Sequence, residues 1–161
     1  RGYAVETTRV SDGYDPDEEA GKHDRADLIV VQGPVYWMGF PGRYKQYQEA
    51  VYGLLGGGRL YDGDGRQRGG PGAHYGSGGK ARAKRYLFSL TFNAPRAAFD
   101  DPGQYLFGGK GVDDLFFPAH MSFRFMGMQP LDTFACYDVV KNPDIDNDFA
   151  RYRAHLERVA P

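Results

Sequence analysis

Two periods of apolar residues succeed one another along the chain, and each change of period marks an element. Leu28-Ile29-Val30-Val31 is a continuous apolar run, rich in β-branched residues and too short for a buried helix. It predicts a strand buried on both faces, as inside a parallel sheet, with Gly33-Pro34 stopping it. Upstream, Tyr3 to Val10 alternates in the manner of a strand and halts at Ser11-Asp12-Gly13. Asp15-Pro16-Asp17-Glu18-Glu19 follows with a capping Asp, Pro in the first turn and acids facing the macrodipole. That opening predicts a short helix to about Arg25. Beyond Pro41, the helical spacing of Tyr44, Tyr47, Val51, Leu54 and Leu55 predicts a helix over 42–55, ended by Gly56-Gly57-Gly58.

The second half repeats the alternation. Arg85 to Phe92 is apolar enough for a sheet interior and stops at Asn93-Ala94-Pro95, and Asp100-Asp101-Pro102-Gly103 is a turn. From Val112 to Met126, Leu115, Phe116, Ala119, Phe123 and Met126 form a helical stripe, with Pro118 early in it or marking a kink. Thr133 to Val140 is the last predicted strand, with Cys136 a small buried hydrophobe. Ile145 to Val159 closes as an amphipathic helix carrying Phe149, Tyr152, Leu156 and Val159. Strand and helix alternate four times, which is the α/β pattern of a parallel sheet with helices on both faces, in three layers.

At 161 residues the chain is a single domain, 1–161, and a net charge of −1 gives no argument for nucleic acid. No apolar run is long enough to span a membrane. One cysteine forms neither an intrachain disulfide nor a zinc site, and fits a reducing cytoplasm. The four histidines lack metal-ligand spacing, and no Gly-x-Ser-x-Gly elbow occurs. Asp17-Glu18-Glu19, Asp113-Asp114 and Asp146/Asp148 stand at helix starts, where the macrodipole accounts for them. The chain thus offers aromatic surface and little acid–base machinery, which favours a site whose cofactor carries the chemistry, with no catalytic side chain.

Three stretches bear on such a site. Tyr36-Trp37-Met38 sits on a short loop after a buried strand, where open α/β sheets bind ligands. It is either a platform for a flat cofactor or an apolar plug, and the stretch alone favours neither. Thr91 to Pro95 is a second loop at a strand's carboxyl end, and together the two could supply a flavin with a ring face and backbone N–H donors. Residues 56–80 form a long glycine-rich loop, best read as a mobile flap anchored by Tyr75. Competing readings are an arginine–glycine RNA segment at 66–70 and a phosphate loop at 76–80, whose glycine spacing matches neither nucleotide fingerprint. His120, among apolar residues, is weighed as a core or interface histidine before a catalyst.

Pro34-Val35-Tyr36-Trp37-Met38-Gly39-Phe40-Pro41, Leu60-Tyr61-Asp62-Gly63-Asp64-Gly65-Arg66, Tyr75-Gly76-Ser77-Gly78-Gly79, Leu90-Thr91-Phe92-Asn93-Ala94-Pro95, Gly109-Lys110-Gly111-Val112-Asp113, Phe125 to Leu131 and Asn142-Pro143-Asp144 carry a resemblance. In order and spacing the chain resembles the flavodoxin-like NAD(P)H:quinone oxidoreductases along its whole length. The resemblance implies a flavodoxin-like fold, bound FAD, a homodimer, and two-electron, ping-pong hydride transfer from NAD(P)H through flavin N5 to a quinone. By position it implies flavin contacts at Val35, Tyr36, Trp37, Met38, Tyr75, Thr91, Phe92, Asn93 and Ala94. Tyr75, Phe107 and His120 would border a quinone pocket partly across the dimer interface. The family usually has Trp at the positions of Tyr36 and Phe92 and often Gly at Val35. It also begins with a strand, a phosphate loop and a helix, whereas this chain opens before what would be the second strand. The domain is therefore expected to be N-terminally incomplete. A non-catalytic flavodoxin-like binding or regulatory module is the alternative, and a one-electron carrier fits less well because such carriers are strongly acidic.

Overall fold

Arg85–Thr91 is the organising strand of the computed structural model, which describes residues 2–67, 70 and 74–160. Its five inner residues, Tyr86 to Leu90, are all buried, as a strand covered on both faces requires. It is β2 in chain order. The earlier strand β1 (Leu28–Pro34) lies parallel to it, in register from Leu28 opposite Arg85 to Pro34 opposite Thr91. On the other side two short strands, β3 (Gln129–Pro130) and β4 (Phe134–Cys136), pair with β2, also parallel.

Tyr86, Phe88 and Leu90 point to one face and join a core with Tyr44, Tyr47, Val51, Leu55, Phe116, Phe123 and Met126. These come from α2 (Gly42–Tyr52) with its 3-10 extension to Leu55, from α4 (Phe117–Phe125) and from the residues that flank α4. Tyr86 stacks on Phe123 at 4.3 Å, and Phe40 meets both Phe88 (5.4 Å) and Phe116 (4.9 Å) edge-on. The opposite face is served by α5 (Ile145–Val159), whose Tyr152 lies beside Ser89 and 4.8 Å from the Phe134 ring. Helices thus cover both faces of a parallel sheet, as the alternation predicts.

Several expectations change. Tyr3 to Arg9 does not join the sheet, because among the described residues no strand lies beside it, and Val10–Asp12 forms a 3-10 turn. Thr8 instead hydrogen-bonds Glu19 of α1 (Pro16–Arg25) at 2.8 Å. β1 is not buried on both faces: Val30 is 42% exposed, since β1 pairs along one edge only and α5 leans over β4. β1 ends at Gly33-Pro34 as expected, with both residues still paired with β2. The last strand shrinks to three residues, and the 112–126 helix divides at Phe116 into α3 (Val112–Leu115) and α4. Pro118 falls in the first turn of α4, where its missing N–H costs nothing. α5 keeps its predicted bounds, yet Phe149 is 67% exposed.

Candidate functional site

Parallel strands send all their carboxyl ends to one side, so the connections after β1, β2 and β4 converge there. Three backbone bonds tie them: Val35 N–H to Thr91 O (3.0 Å), Phe92 N–H to Cys136 O (2.9 Å) and Asp138 N–H to Ala94 O (3.0 Å). The loop after β1 is a two-residue hairpin in which Tyr36 and Gly39 exchange N–H···O bonds of 2.9 and 3.2 Å. Trp37 (φ +48) and Met38 (φ +67) occupy its centre, the geometry of a type I′ turn. Asn-Gly is the ordinary filling. For two bulky L-residues the left-handed region costs about 1–2 kcal/mol each. The turn leaves Trp37 99% exposed, with Tyr36 61% and Met38 45%. The Trp37 side chain is therefore no plug.

Among the described residues, the amides of Trp37, Met38, Asn93 and Ala94 donate to no protein group. A flat ring with acceptors on its edge, laid across the two loops, would meet an aromatic surface and these donors together. Residues suited to a flavin ring are thus present. Phe92 is different: its ring is 3% exposed, edge-on to Phe99 at 5.0 Å and stacked with Tyr137 at 5.8 Å. Its backbone is engaged as well, the N–H donating to Cys136 O (2.9 Å) and the carbonyl accepting from Val139 N–H (3.1 Å). Phe107 belongs to the same aromatic group, stacked on Phe99 at 4.5 Å.

Tyr75 is not part of this cluster. Its ring lies 6.2 Å from Phe125, the last residue of α4, whereas the hairpin side of the molecule touches Phe116, just before α4 begins. The nine residues of α4 rise about 12 Å between them. The loop bearing Tyr75 is also less of a flap than expected. Tyr61 and Gly79 form an antiparallel bridge, and Lys80 N–H bonds Leu60 O at 2.8 Å. Arg68 and Gly69 of the arginine–glycine stretch, like Pro71 to Ala73, lie outside the described residues. In the phosphate-loop reading of 76–80, the carbonyl of Gly78 and the amides of Gly76 and Ser77 are already taken by backbone.

His120 lies in a separate groove of about 1180 Å³ between α4 and the β3–β4 side of the sheet. Its Nε2 is 3.2 Å from Asp113 Oδ1 and its Nδ1 2.8 Å from the Tyr86 hydroxyl. The His120 bond, offset by burial, holds Asp113 below the usual carboxylate range, with the nearby Thr133 hydroxyl, short of good hydrogen-bond geometry, adding to it. An ionised carboxylate only accepts, so in the neutral ring Nε2 carries the proton and Nδ1 accepts from Tyr86. Burial, helped by the Asp113 charge, pushes the Tyr86 phenol up to about 12. The relay runs from the exposed Asp113 carboxylate through His120 to the nearly buried Tyr86 phenol, all three lining the groove, and it clamps α3, α4 and β2 together. Sequence reasoning missed both partners of His120, which lie far from it in the chain or in a run of acids explained otherwise.

A family model described as the flavodoxin-like fold matches residues 4–159. The chain belongs to the flavodoxin-like family. It is 42% identical over 158 residues to an uncharacterised protein of Schizosaccharomyces pombe, covering 98% of this chain and 80% of that one. It is 41% identical, over 98% of its own length and 81% of the relative's, to the NADPH:quinone oxidoreductase MdaB of Haemophilus influenzae. Among solved structures, general stress protein 14 of Treponema denticola in complex with FMN superposes with a TM-score of 0.62 at 18% identity, over 92% of this chain and 73% of that one. At that identity the likeness speaks for the fold alone. The hairpin after β1 and the loop after β2 lie at the carboxyl end of the sheet, the side on which open α/β sheets generally bind ligands.

Proposed function

We propose that the chain is an FAD-dependent NAD(P)H:quinone oxidoreductase, acting as a cytoplasmic homodimer. The relationship to the H. influenzae enzyme supports the reaction class. The observation that carries the site is the strained Tyr36–Gly39 hairpin, which exposes Trp37 at the carboxyl end of a parallel strand beside unengaged amides. Strain of this kind persists where surrounding structure imposes it, and it concentrates at ligand sites.

Bound flavin would accept hydride from NAD(P)H and pass it to a quinone in a ping-pong cycle. The chain's own part is to orient and hydrogen-bond. Trp37 and Met38 present side-chain surface and amides; Asn93 and Ala94 add amides from the neighbouring loop; Thr91 fixes Val35 through its carbonyl. Phe107 borders the same end through Phe99, while His120 enters through its effect on α4. Tyr75 reaches a flavin through a second copy of the chain.

Purified protein is expected to show a flavin absorption spectrum that NADPH or NADH bleaches, and to oxidise NAD(P)H in the presence of menadione. A colourless protein without menadione-dependent turnover after FAD is added would overturn the reading. Bound flavin that neither nucleotide bleaches would point to a non-catalytic module.

A further inference from the structure

Two short segments of the glycine-rich loop, 62–66 and 76–79, lie side by side. Asp62 N–H donates to Gly78 O (2.9 Å), and the Asp64 carbonyl accepts from the amides of Gly76 (2.8 Å) and Ser77 (3.1 Å). The seam leaves no room at Gly65, where a Cβ would land on Ser77 Oγ and Gly78 N and where φ is +83°. So the chain just after Tyr75 is anchored at residue 64.

The Asp64 carboxylate is given over to Arg66. Oδ1 accepts the Arg66 backbone N–H at 2.9 Å, while Oδ2 accepts Nε at 2.8 Å and Nη2 at 2.6 Å. These bonds hold Asp64 below the usual carboxylate range and raise Arg66 in turn. The guanidinium carbon then sits 5.2 Å from the centroid of the Tyr75 ring. Three hydrogen bonds on a 60% exposed arginine side chain and its amide leave it little freedom to wander in solvent. Its charge is also matched within two residues, which argues against a role in attracting nucleic acid. Tyr75 itself is 74% exposed, and among the described residues its hydroxyl has no hydrogen bond.

We infer that Arg66, locked by Asp64, is a positioning residue that fixes the ring plane of Tyr75 for contact with a flat ligand. For the ligand it rests on the flavin reading above. The Asp64 carbonyl anchors the loop by itself, so removal of the Arg66 side chain leaves the ring only its looser, tilted contact with Phe125 (6.2 Å) among the described residues, without freeing the backbone.

The test pairs two readouts on the whole chain: ring signals of Tyr75 in selectively labelled apo-protein, assigned with Tyr75→Phe, and FAD affinity by fluorescence titration. Arg66→Ala should shift the Tyr75 ring signals while amide exchange at Gly76 and Ser77 stays slow. FAD affinity should fall about two- to fivefold, the loss expected for an exposed cation–π contact. Arg66→Lys should not restore it, because an ammonium cannot keep both side-chain bonds to Asp64 and stay over the ring. The Arg66→Ala/Tyr75→Ala double variant should bind FAD no more weakly than Tyr75→Ala. Unmoved Tyr75 signals, or additive losses in the double variant, overturn the inference. A wild-type chain that takes up no FAD overturns the flavin reading, and the ring signals then decide the Arg66–Tyr75 coupling.

Discussion

Trp37 and Met38 are where single residues depart furthest from what the chain would choose locally. Each holds a positive φ that an L-residue adopts at a cost of about 1–2 kcal/mol. Replacing the pair by Asn-Gly removes that cost and keeps the turn type. The variant Trp37→Asn/Met38→Gly should therefore be more resistant to urea, by up to about 2–4 kcal/mol for the two positions together, and should lose flavin binding. Equilibrium unfolding and flavin titration on one preparation check both halves; equal or lower stability would mean the hairpin is unstrained. The aromatic cluster was legible in the sequence, but its handedness was not. Nothing about Trp-Met announces a type I′ turn, since the residues that signal one are absent. Phe92 shows the converse limit: two neighbouring loops share aromatics, and only the packing of Phe99 and Tyr137 decides that its ring turns inward.

At the scale of elements, the locally encoded features are the ones the sequence makes legible. α1 begins where Asp15 caps Glu18 N–H at 2.9 Å, and α5 spans Ile145–Val159 as its spacing predicts. The strand expected from Tyr3 to Val10 does not form because a strand needs a neighbour, which alternation cannot supply. α1 also carries a buried polar pair with a consequence for pH. Glu19 is 3% exposed; burial raises its carboxyl, but bonds from Lys22 (2.6 Å), Thr8 (2.8 Å) and Tyr47 (2.8 Å) outweigh it and hold it below 4.5. Burial lowers His23 below 6.5, and its Nδ1 lies 2.9 Å from Glu19 O. Both folded values are depressed, so the unfolded chain binds more protons on acidification and stability falls with pH. The His23 contribution is present above pH 6.5 and drains away from there down to its folded value; the Glu19 contribution begins to drain below about 4.5. Urea midpoints measured from pH 8 to about 4 should fall in these two stages, and His23→Gln should flatten the first while leaving the second. An unchanged first stage in that variant would show that His23 titrates as it does unfolded.

For the whole molecule, the separation of Tyr75 from Trp37 is the fact with most reach. They sit toward opposite ends of α4, about 12 Å of helix apart. Trp37 at 99% and Tyr105 at 101% exposure leave large aromatic surface uncovered. A two-fold dimer is self-complementary, so a rim from one copy that meets the Tyr75 side of the other does so twice. The homodimer reading then has a result that no single-chain site can give. Trp37→Ala and Tyr75→Ala should each be deficient in menadione reduction. Mixed and allowed to exchange subunits, about half the dimers carry one lesion per copy. If each site draws Trp37 from one copy and Tyr75 from the other, both lesions fall in one site and the second is intact, so about a quarter of wild-type sites return. If both residues serve the same chain's flavin, every site keeps a lesion and nothing returns. Recovery on mixing, absent for either variant alone, is the expected outcome; its absence despite proven exchange would mean that the two copies do not share a site.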